Sequence, residues 1–236
     1  MDDFFAAVRR SFGALSQHQV DGLNVLLAAT AALPIEQRAY VLATAYHETA
    51  RTMQPITEYG GRSYFDKYEP GTSIGHSLGN TVAGDGYRFR GRGYVQITGR
   101  ANYMKASVAT AADLLADPDR ALEPEIAAKI IVSGMTHGWF TGKKMADYGH
   151  DYRQMRRVVN GTDRAELIAG YARTFEAALM TQKPPVEAPQ PAPVPAPMPA
   201  PETPPAPPGA TLQGTMAIIA GIIAAAVAAI ITLFSK

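Results

Sequence analysis

The sequence predicts a mainly helical α+β domain with a small β-hairpin, followed by a proline-rich stalk and one transmembrane helix. Apolar residues recur at helical spacing through much of residues 1–182. Residues 183–209 consist largely of proline and alanine, and residues 210–235 are mostly apolar and carry no charge. We therefore expect one domain of ordinary size, then an extended linker, and then a segment that enters a membrane.

Charge and composition exclude several classes of function. The formal net charge is +1, which argues against a nucleic-acid partner, because such binding depends on clustered lysine and arginine. The chain contains no cysteine, so disulfide bonds and thiolate metal sites are excluded. No other pattern in the sequence predicts a metal or a cofactor. The acidic start, residues 1–5, lacks the basic and apolar regions of a secretory signal peptide.

Three helices are predicted in the first part of the domain. Apolar residues at positions 4, 5, 8 and 12 trace the first helix, which stops near Gly13. Ser16 and Gln19 form a capping box for the second helix, which continues to about Leu33. Pro34, a residue favoured at the first position of a helix, begins the third, which runs to Arg51.

The middle of the chain has a different character. Residues 60–93 are rich in glycine and lack helical periodicity, which predicts irregular structure that forms the wall of a cleft. The segment from Tyr87 to Thr98 favours a short β-hairpin or an extended ribbon. Helices are predicted again at residues 111–115, 124–138 and 163–180.

Two glutamates lie where the third predicted helix gives way to the glycine-rich region. Glu48 stands at the end of that helix, where apolar neighbours would disfavour its ionised form and suit a general acid. Glu58 follows it, and hydrolysis of a glycosidic bond requires one protonated carboxyl and one ionised carboxylate. Because the chain has 21 acidic residues, the spacing of these two is by itself a weak indication of a catalytic pair. An ordinary surface glutamate also fits position 48.

Four short motifs follow one another along the domain. They are the helix end His47-Glu48-Thr49, the run GRGYVQIT from Gly91 to Thr98, the pair Asn102-Tyr103, and Asn160-Gly161 before the last helix. In this order they resemble glycoside hydrolase family 19, a family of chitinases and phage or prophage lysozymes, over most of residues 16–180. The resemblance implies a lysozyme-like, family 19 chitinase-like fold. Within the family the chain is most similar to compact phage-type endolysins, which also lack the disulfides of plant chitinases.

The resemblance implies a catalytic pair and a set of sugar contacts. Glu48 is expected to be the general acid, and Glu58 the general base, of a reaction that inverts the anomeric carbon. Thr98 is expected to help hold the attacking water. The remaining contacts, to the sugar or its N-acetyl group, are assigned to Gln96, Asn102 and Asn160.

The second carboxylate and the sugar contacts stay open. In plant chitinases the second glutamate lies farther along the chain, a spacing that Glu69 satisfies better, whereas bacterial and phage-type members have the shorter spacing of Glu58. Plant enzymes also have a tyrosine where Arg90 stands, and an arginine in the last helix with no secure equivalent here. Gln96 and Thr98 also have a simpler interpretation. Residues two apart fall on the same side of an extended segment, so these two side chains fit the polar face of a strand.

The predicted linker and anchor make up the rest of the chain. Proline holds the backbone in an extended form, so residues 183–209 should act as a stiff spacer. Residues 210–235 are long enough to span a bilayer, and their orientation is left open. Small residues at every fourth position favour self-association of this helix through one stripe, formed by Ala217, Gly221, Ala225 and Ala229.

These features predict an endolysin that is anchored in the inner membrane of a bacterial host and cuts β-1,4 bonds between amino sugars of peptidoglycan. A chitinase that acts on N-acetylglucosamine polymers is the alternative enzyme. The non-enzymatic alternative is an inactive module that binds the cell wall or serves as a membrane tether. The presence of both Glu48 and Glu58 argues against the inactive module.

Overall fold

The chain folds, in this computed structural model, into a mainly helical domain with a small antiparallel hairpin, and the structure describes residues 2–181. Residues 1 and 182–236 lie outside the described part, and with them the predicted linker, the transmembrane helix and its stripe of small residues. No helix within residues 2–181 is long and apolar enough to cross a membrane. The elements are α1 (Asp2–Phe12), α2 (Gln17–Ala29), α3 (Ile35–Glu48), β1 (Ile56–Thr57), α4 (Ser73–Ser77), α5 (Asp85–Arg88), β2 (Arg92–Gly93), α6 (Arg100–Thr110), α7 (Pro124–His137), α8 (Tyr152–Met155) and α9 (Ala165–Met180).

Helix α3 is the centre of the domain, and its eight consecutive residues from Ala39 to Tyr46 are buried. It packs against both α2 and α9. An aromatic cluster holds its carboxyl end: the ring centroid of Tyr46 lies 4.7 Å from that of Phe12 and 5.0 Å from that of Tyr171. Such pairs contribute about 0.5–1.5 kcal/mol each beyond the area they bury. The end of α3, which carries Glu48, is therefore firmly placed.

The capping signal at the start of α2 is confirmed. The hydroxyl of Ser16 accepts a hydrogen bond from the N–H of Gln19 at 3.2 Å, and the Ser16 N–H donates to Oε1 of Gln19 at 2.8 Å. Both α2 and α3 end a few residues before the predicted positions. For α3 the reason is local, since Ala50 and Arg51 take the left-handed conformation with φ of 49° and 71°.

The two strands form one antiparallel pair, with Thr57 opposite Arg92. The chain then turns back sharply, and Arg92 and Ile97 exchange backbone hydrogen bonds of 3.3 and 3.0 Å. The predicted hairpin between Tyr87 and Thr98 is thus confirmed only for the part that starts at Arg92. Its beginning is wrong, because Tyr87 and Arg88 belong to α5.

The helix predicted at residues 111–115 is wrong, whereas α7 and α9 lie where helices were expected. The helix in this part of the chain is α6, which ends at Thr110 because Ala111 takes the left-handed conformation with φ of 56°. α7 stops at Gly138 with φ of 73°, as the glycine predicts. α9 begins two residues later than predicted, since Arg164 has φ of 56°.

The glycine-rich region is also more regular than predicted. It contains the 3-10 helix Arg62–Tyr68 together with α4 and α5. Side-chain caps permit such short helices: the hydroxyl of Thr72, for example, accepts the N–H of Gly75 at 2.8 Å. Gly75 itself lies so close to the backbone of Glu69 that an added Cβ would be 2.1 Å from its carbonyl oxygen. Glycine here allows a close approach of two chain segments.

Candidate active site

Glu48 lies at the last position of α3 and is paired with a buried arginine. Nη1 of Arg156 is 2.6 Å from Oε1 of Glu48, and the side chain of Glu48 remains 25% exposed. Arg156 is almost fully buried and donates from Nε to the carbonyl oxygen of Asp163 at 3.0 Å. Apolar neighbours were expected around the Glu48 carboxyl, whereas the structure places the guanidinium of a distant arginine against it.

A second titratable group lies beside this ion pair. His47 is partly buried, and burial is the main reason that its pKa lies below the ordinary value of 6.5. Glu48 raises the pKa of His47 and Arg156 lowers it, without reversing the effect of burial. The imidazole therefore stays neutral at neutral pH, and Arg156 is the positive charge in contact with Glu48.

The connector between α3 and β1 separates the two glutamates in the chain and is held by several local contacts. The hydroxyl of Thr49 donates to the carbonyl oxygen of Ala45 at 2.7 Å and accepts the N–H of Met53 at 3.1 Å. Met53 adopts the left-handed conformation with φ of 56° and is buried. Its carbonyl oxygen would lie 1.8 Å from a Cβ added to Gly22, so α2 presses directly on the connector.

Glu58 follows β1, and both of its carboxylate oxygens accept hydrogen bonds. The hydroxyl of Tyr68 donates to Oε1 at 3.0 Å, and the N–H of Gly91 donates to Oε2 at 3.1 Å. Nζ of Lys67 lies 4.0 Å from Oε1. Burial, and then the hydrogen bond to Glu58, raise the pKa of Tyr68. The phenol therefore keeps its proton and remains a donor to the carboxylate.

Gln96 lies next to Glu58 across Gly91. A Cβ added to Gly91 would be 3.1 Å from the Cβ of Gln96 and 3.1 Å from the Cβ of Glu58. Gln96 has φ of 52° and lies in the turn after β2, so the expectation of an extended segment that presents Gln96 and Thr98 on one side is wrong. The hydroxyl of Thr98 donates to the Gln96 carbonyl oxygen at 3.0 Å, and Nδ2 of Asn102 donates to the Thr98 carbonyl oxygen at 2.8 Å.

Asn160 lies beside the arginine that binds Glu48. Its N–H donates to the carbonyl oxygen of Arg156 at 3.0 Å, and its exposed side chain accepts the N–H of Gly161 at 2.8 Å. The residues singled out from the sequence thus form two groups. One group contains Glu48 and Asn160, joined through Arg156, and the other contains Glu58, Gln96, Thr98 and Asn102.

Glu69, the alternative second carboxylate, is engaged with backbone. Its Oε2 accepts the N–H of Gly84 at 2.7 Å, and its Oε1 accepts the N–H of Gly86 at 3.1 Å. A Cβ on Gly86 would come within 2.8 Å of Oε1 of Glu69. This geometry gives Glu69 a role in holding the loop before α5.

Sequence reasoning missed Arg156 and Tyr68. Arg156 lies in the 3-10 turn that precedes Asn160-Gly161, not in the last helix where an arginine was sought. A buried arginine needs an anionic partner, but the spacing of residues in the chain does not reveal burial at this position. No group of three or more acidic or histidine side chains within residues 2–181 is arranged to hold a metal ion.

The fold is that of known chitinases, although neither a family model nor a curated protein sequence matches the chain. Chitinase C from Streptomyces griseus is similar with 20% identity and a TM-score of 0.54, over 76% of this chain and 77% of that chain. A bacterial family 19 chitinase is similar with 19% identity and a TM-score of 0.55, over 75% and 94% of the two chains. A mutant of chitinase C gives 19% identity and a TM-score of 0.53. The resemblance inferred from the motifs is thus confirmed for the fold.

Proposed function

We propose that the chain is a glycoside hydrolase that cleaves β-1,4 bonds between amino sugars of bacterial peptidoglycan. The observation that carries the proposal is the pair Glu48 and Glu58, two partly buried carboxylates that are each held by hydrogen bonds. Hydrolysis of a glycosidic bond requires two such groups on either side of it. The chitinase fold supports this reading by analogy, because the solved structures that share it are named as chitinases, which are enzymes that hydrolyse glycosidic bonds.

Glu48 is the proposed general acid, which protonates the leaving oxygen of the scissile bond. When the proton leaves, Arg156 stabilises the carboxylate that forms, through the hydrogen bond of 2.6 Å. Arg156 therefore acts on the reaction through Glu48, and its loss should lower the rate.

Glu58 is the proposed general base, which removes a proton from the attacking water. An ionised carboxylate accepts hydrogen bonds at both oxygens, as Glu58 does from Tyr68 and Gly91. Inversion needs space for the water, with about 6.5–9.5 Å between the two carboxyl groups. Gln96 and Thr98, on the Glu58 side, are proposed to position the water and the sugar. Asn102 and Asn160 are proposed as further contacts to the sugar.

The endolysin role and the membrane anchor complete the proposal. A spacer at residues 183–209 and a transmembrane helix at residues 210–235 would hold the domain near the inner membrane of the host, within reach of the cell wall. Self-association through the stripe at Ala217, Gly221, Ala225 and Ala229 belongs to the same proposal. These parts depend on the sequence pattern alone.

A chitinase is the second candidate, because the solved structures that share the fold are named as chitinases. An experiment on two substrates separates the candidates. The full chain, purified in detergent, is incubated with purified sacculi from a Gram-negative bacterium and with chitin hexamer, and release of soluble fragments is followed. We expect release from sacculi, and none from the Glu48→Gln variant. Activity on chitin alone would make the chain a chitinase, and no activity on either would leave the inactive module.

A further inference from the structure

A cavity of about 650 Å³ with an excess of positive charge is lined in part by the chain segment that leads to Gly91, whose N–H donates to Glu58. Five arginines line it, namely Arg62, Arg88, Arg90, Arg92 and Arg100. Its acidic lining residues are Asp85 and Asp119. The formal net charge of the whole chain is only +1, so this accumulation of cations is local.

Both carboxylates of the cavity are already paired. Nη2 of Arg100 is 2.6 Å from Oδ1 of Asp85, and Nη2 of Arg92 is 2.7 Å from Oδ1 of Asp119. The three other guanidinium groups, those of Arg62, Arg88 and Arg90, have no carboxylate within 4.0 Å among residues 2–181. Three positive charges in the lining are therefore not neutralised by the described residues.

These three guanidinium groups are held in place by neutral partners. The guanidinium carbons of Arg62 and Arg90 lie 5.0 and 4.3 Å from the ring centroid of Tyr87. Arg90 also donates to the carbonyl oxygen of Tyr87 at 2.9 Å, and Arg88 donates to that of Leu115 at 2.7 Å. Aromatic faces and carbonyl oxygens position a guanidinium without removing its charge. A fixed guanidinium is a good receptor for a carboxylate, which it can bind through two parallel hydrogen bonds.

The position of the cavity relates it to the candidate active site. Arg90 immediately precedes Gly91, whose N–H binds Glu58, and Arg92 is paired with Thr57 in the sheet. An anionic group attached to a glycan near the scissile bond could therefore reach the cavity. Chitin carries no charge, whereas the glycan of peptidoglycan carries, on alternate sugars, a short peptide with free carboxylates.

We infer that Arg62, Arg88 and Arg90 form a binding site for the carboxylates of the peptidoglycan stem peptide. The inference rests on the proposed function for the choice of glycan, and it makes this cavity the part of the protein that distinguishes peptidoglycan from chitin. Arg90 is central to this site. Its guanidinium stacks on Tyr87, and its backbone directly precedes Gly91, whose N–H donates to Glu58.

Direct binding tests the inference without any need for activity. The full chain in detergent is titrated, by isothermal calorimetry, with the soluble tripeptide L-alanyl-γ-D-glutamyl-diaminopimelate, with its methyl-ester form, and with inorganic phosphate. We expect the free tripeptide to bind, the ester to bind at least ten-fold more weakly, and added salt to weaken binding. Arg62→Gln/Arg90→Gln should raise the Kd of the tripeptide at least ten-fold, whereas Arg153→Gln, at an exposed position on α8, should leave it unchanged.

Thermal unfolding of the double variant checks that the domain remains folded. Should that variant unfold, Arg62→Lys/Arg90→Lys retains both charges but loses the planar fork, and is expected to weaken binding several-fold. Absence of tripeptide binding, equal binding of its ester, or binding of phosphate alone would overturn the inference. Tripeptide binding by a chain that releases nothing from sacculi would instead overturn the proposed hydrolase and leave this site standing.

Discussion

Arg156 donates a hydrogen bond of 2.6 Å from Nη1 to Oε1 of Glu48, although 108 residues separate them in the chain. The contact joins the end of α3 to the turn that precedes α9. Because the guanidinium is almost fully buried and Glu48 is only partly exposed, solvent screens the interaction less than it would screen a surface pair. The same contact places a permanent positive charge beside the proposed general acid.

Replacement of Arg156 should therefore lower the rate. We expect Arg156→Leu to lower kcat on sacculi on the order of 100-fold, since a positioned donor to the developing carboxylate is lost. The measurement is kcat for both proteins.

Two further variants control this experiment. Arg156→Lys keeps the charge and should recover part of the rate. Arg157→Leu, at the next and exposed position, removes a guanidinium that contacts Gln154 and should leave kcat unchanged. Equal kcat of Arg156→Leu and wild type would show that Arg156 does not act on the acid.

The two candidate bases should respond differently to the same substitution. Glu58→Gln is expected to lower turnover by at least about 100-fold, as loss of a general base does, with little effect on stability. Glu69→Gln leaves an amide that cannot accept both backbone N–H groups of Gly84 and Gly86, so it should cost about 1–3 kcal/mol of stability. Its turnover at low temperature should remain close to wild type. The opposite result would make Glu69 the base.

The sequence predicted those parts of the fold and the site that depend on local pattern. The capping box at Ser16, α7 with its terminal Gly138, and the position of Glu48 at a helix end all follow from residues close together in the chain. The contact of Glu48 with Arg156 does not, because helical spacing contains no information about which distant side chains meet. The left-handed backbone of Gln96 was missed for another reason, since a non-glycine residue rarely adopts it.

The close contact between Gly22 and the connector predicts a sensitive position far from the proposed chemistry. A Cβ at Gly22 would lie 1.8 Å from the carbonyl oxygen of Met53, and neither backbone can move easily. We expect Gly22→Ala to cost roughly 1–3 kcal/mol through overpacking and to lower kcat by shifting Glu48 relative to Glu58. Gly170→Ala, in α9 with no atom within 4 Å of the added Cβ, should instead stabilise by up to about 1 kcal/mol.

Denaturant unfolding and turnover of both glycine variants provide the measurement. Equal stability of Gly22→Ala and wild type would mean that α2 does not restrain the connector. Lowered stability with unchanged kcat would mean that the restraint does not set the geometry of the two carboxylates.

The ion pair between Asp85 and Arg100 predicts an acid-sensitive part of the stability. Burial raises the pKa of Asp85, but hydrogen bonds from Arg100, Val82 and Thr81 outweigh it, so the pKa lies below its ordinary value of 3.8. A carboxyl whose pKa is lower in the folded state stabilises the fold above its unfolded pKa, and this stabilisation disappears as the pH falls through the folded value.

Asp85→Asn should therefore reduce stability by roughly 2–4 kcal/mol at pH 6, because Arg100 loses its buried partner. The difference from wild type should shrink as the pH falls below 3.8. Chemical denaturation of both proteins between pH 6 and pH 3 measures it. A difference that is constant over this range would show that the charge of Asp85 contributes nothing.

The central claim is that Glu48 and Glu58 cleave the glycan of peptidoglycan, and mass spectrometry of the products tests it most directly. Purified sacculi are digested with the full chain in detergent, and the fragments are reduced with borohydride so that each new reducing-end sugar is marked. We predict new reduced amino sugars with wild type, and none above background with Glu48→Gln, whose side chain keeps its size but cannot act as an acid. Equal release by Glu48→Gln, or products with cleaved peptide bonds and intact glycan, would contradict the claim.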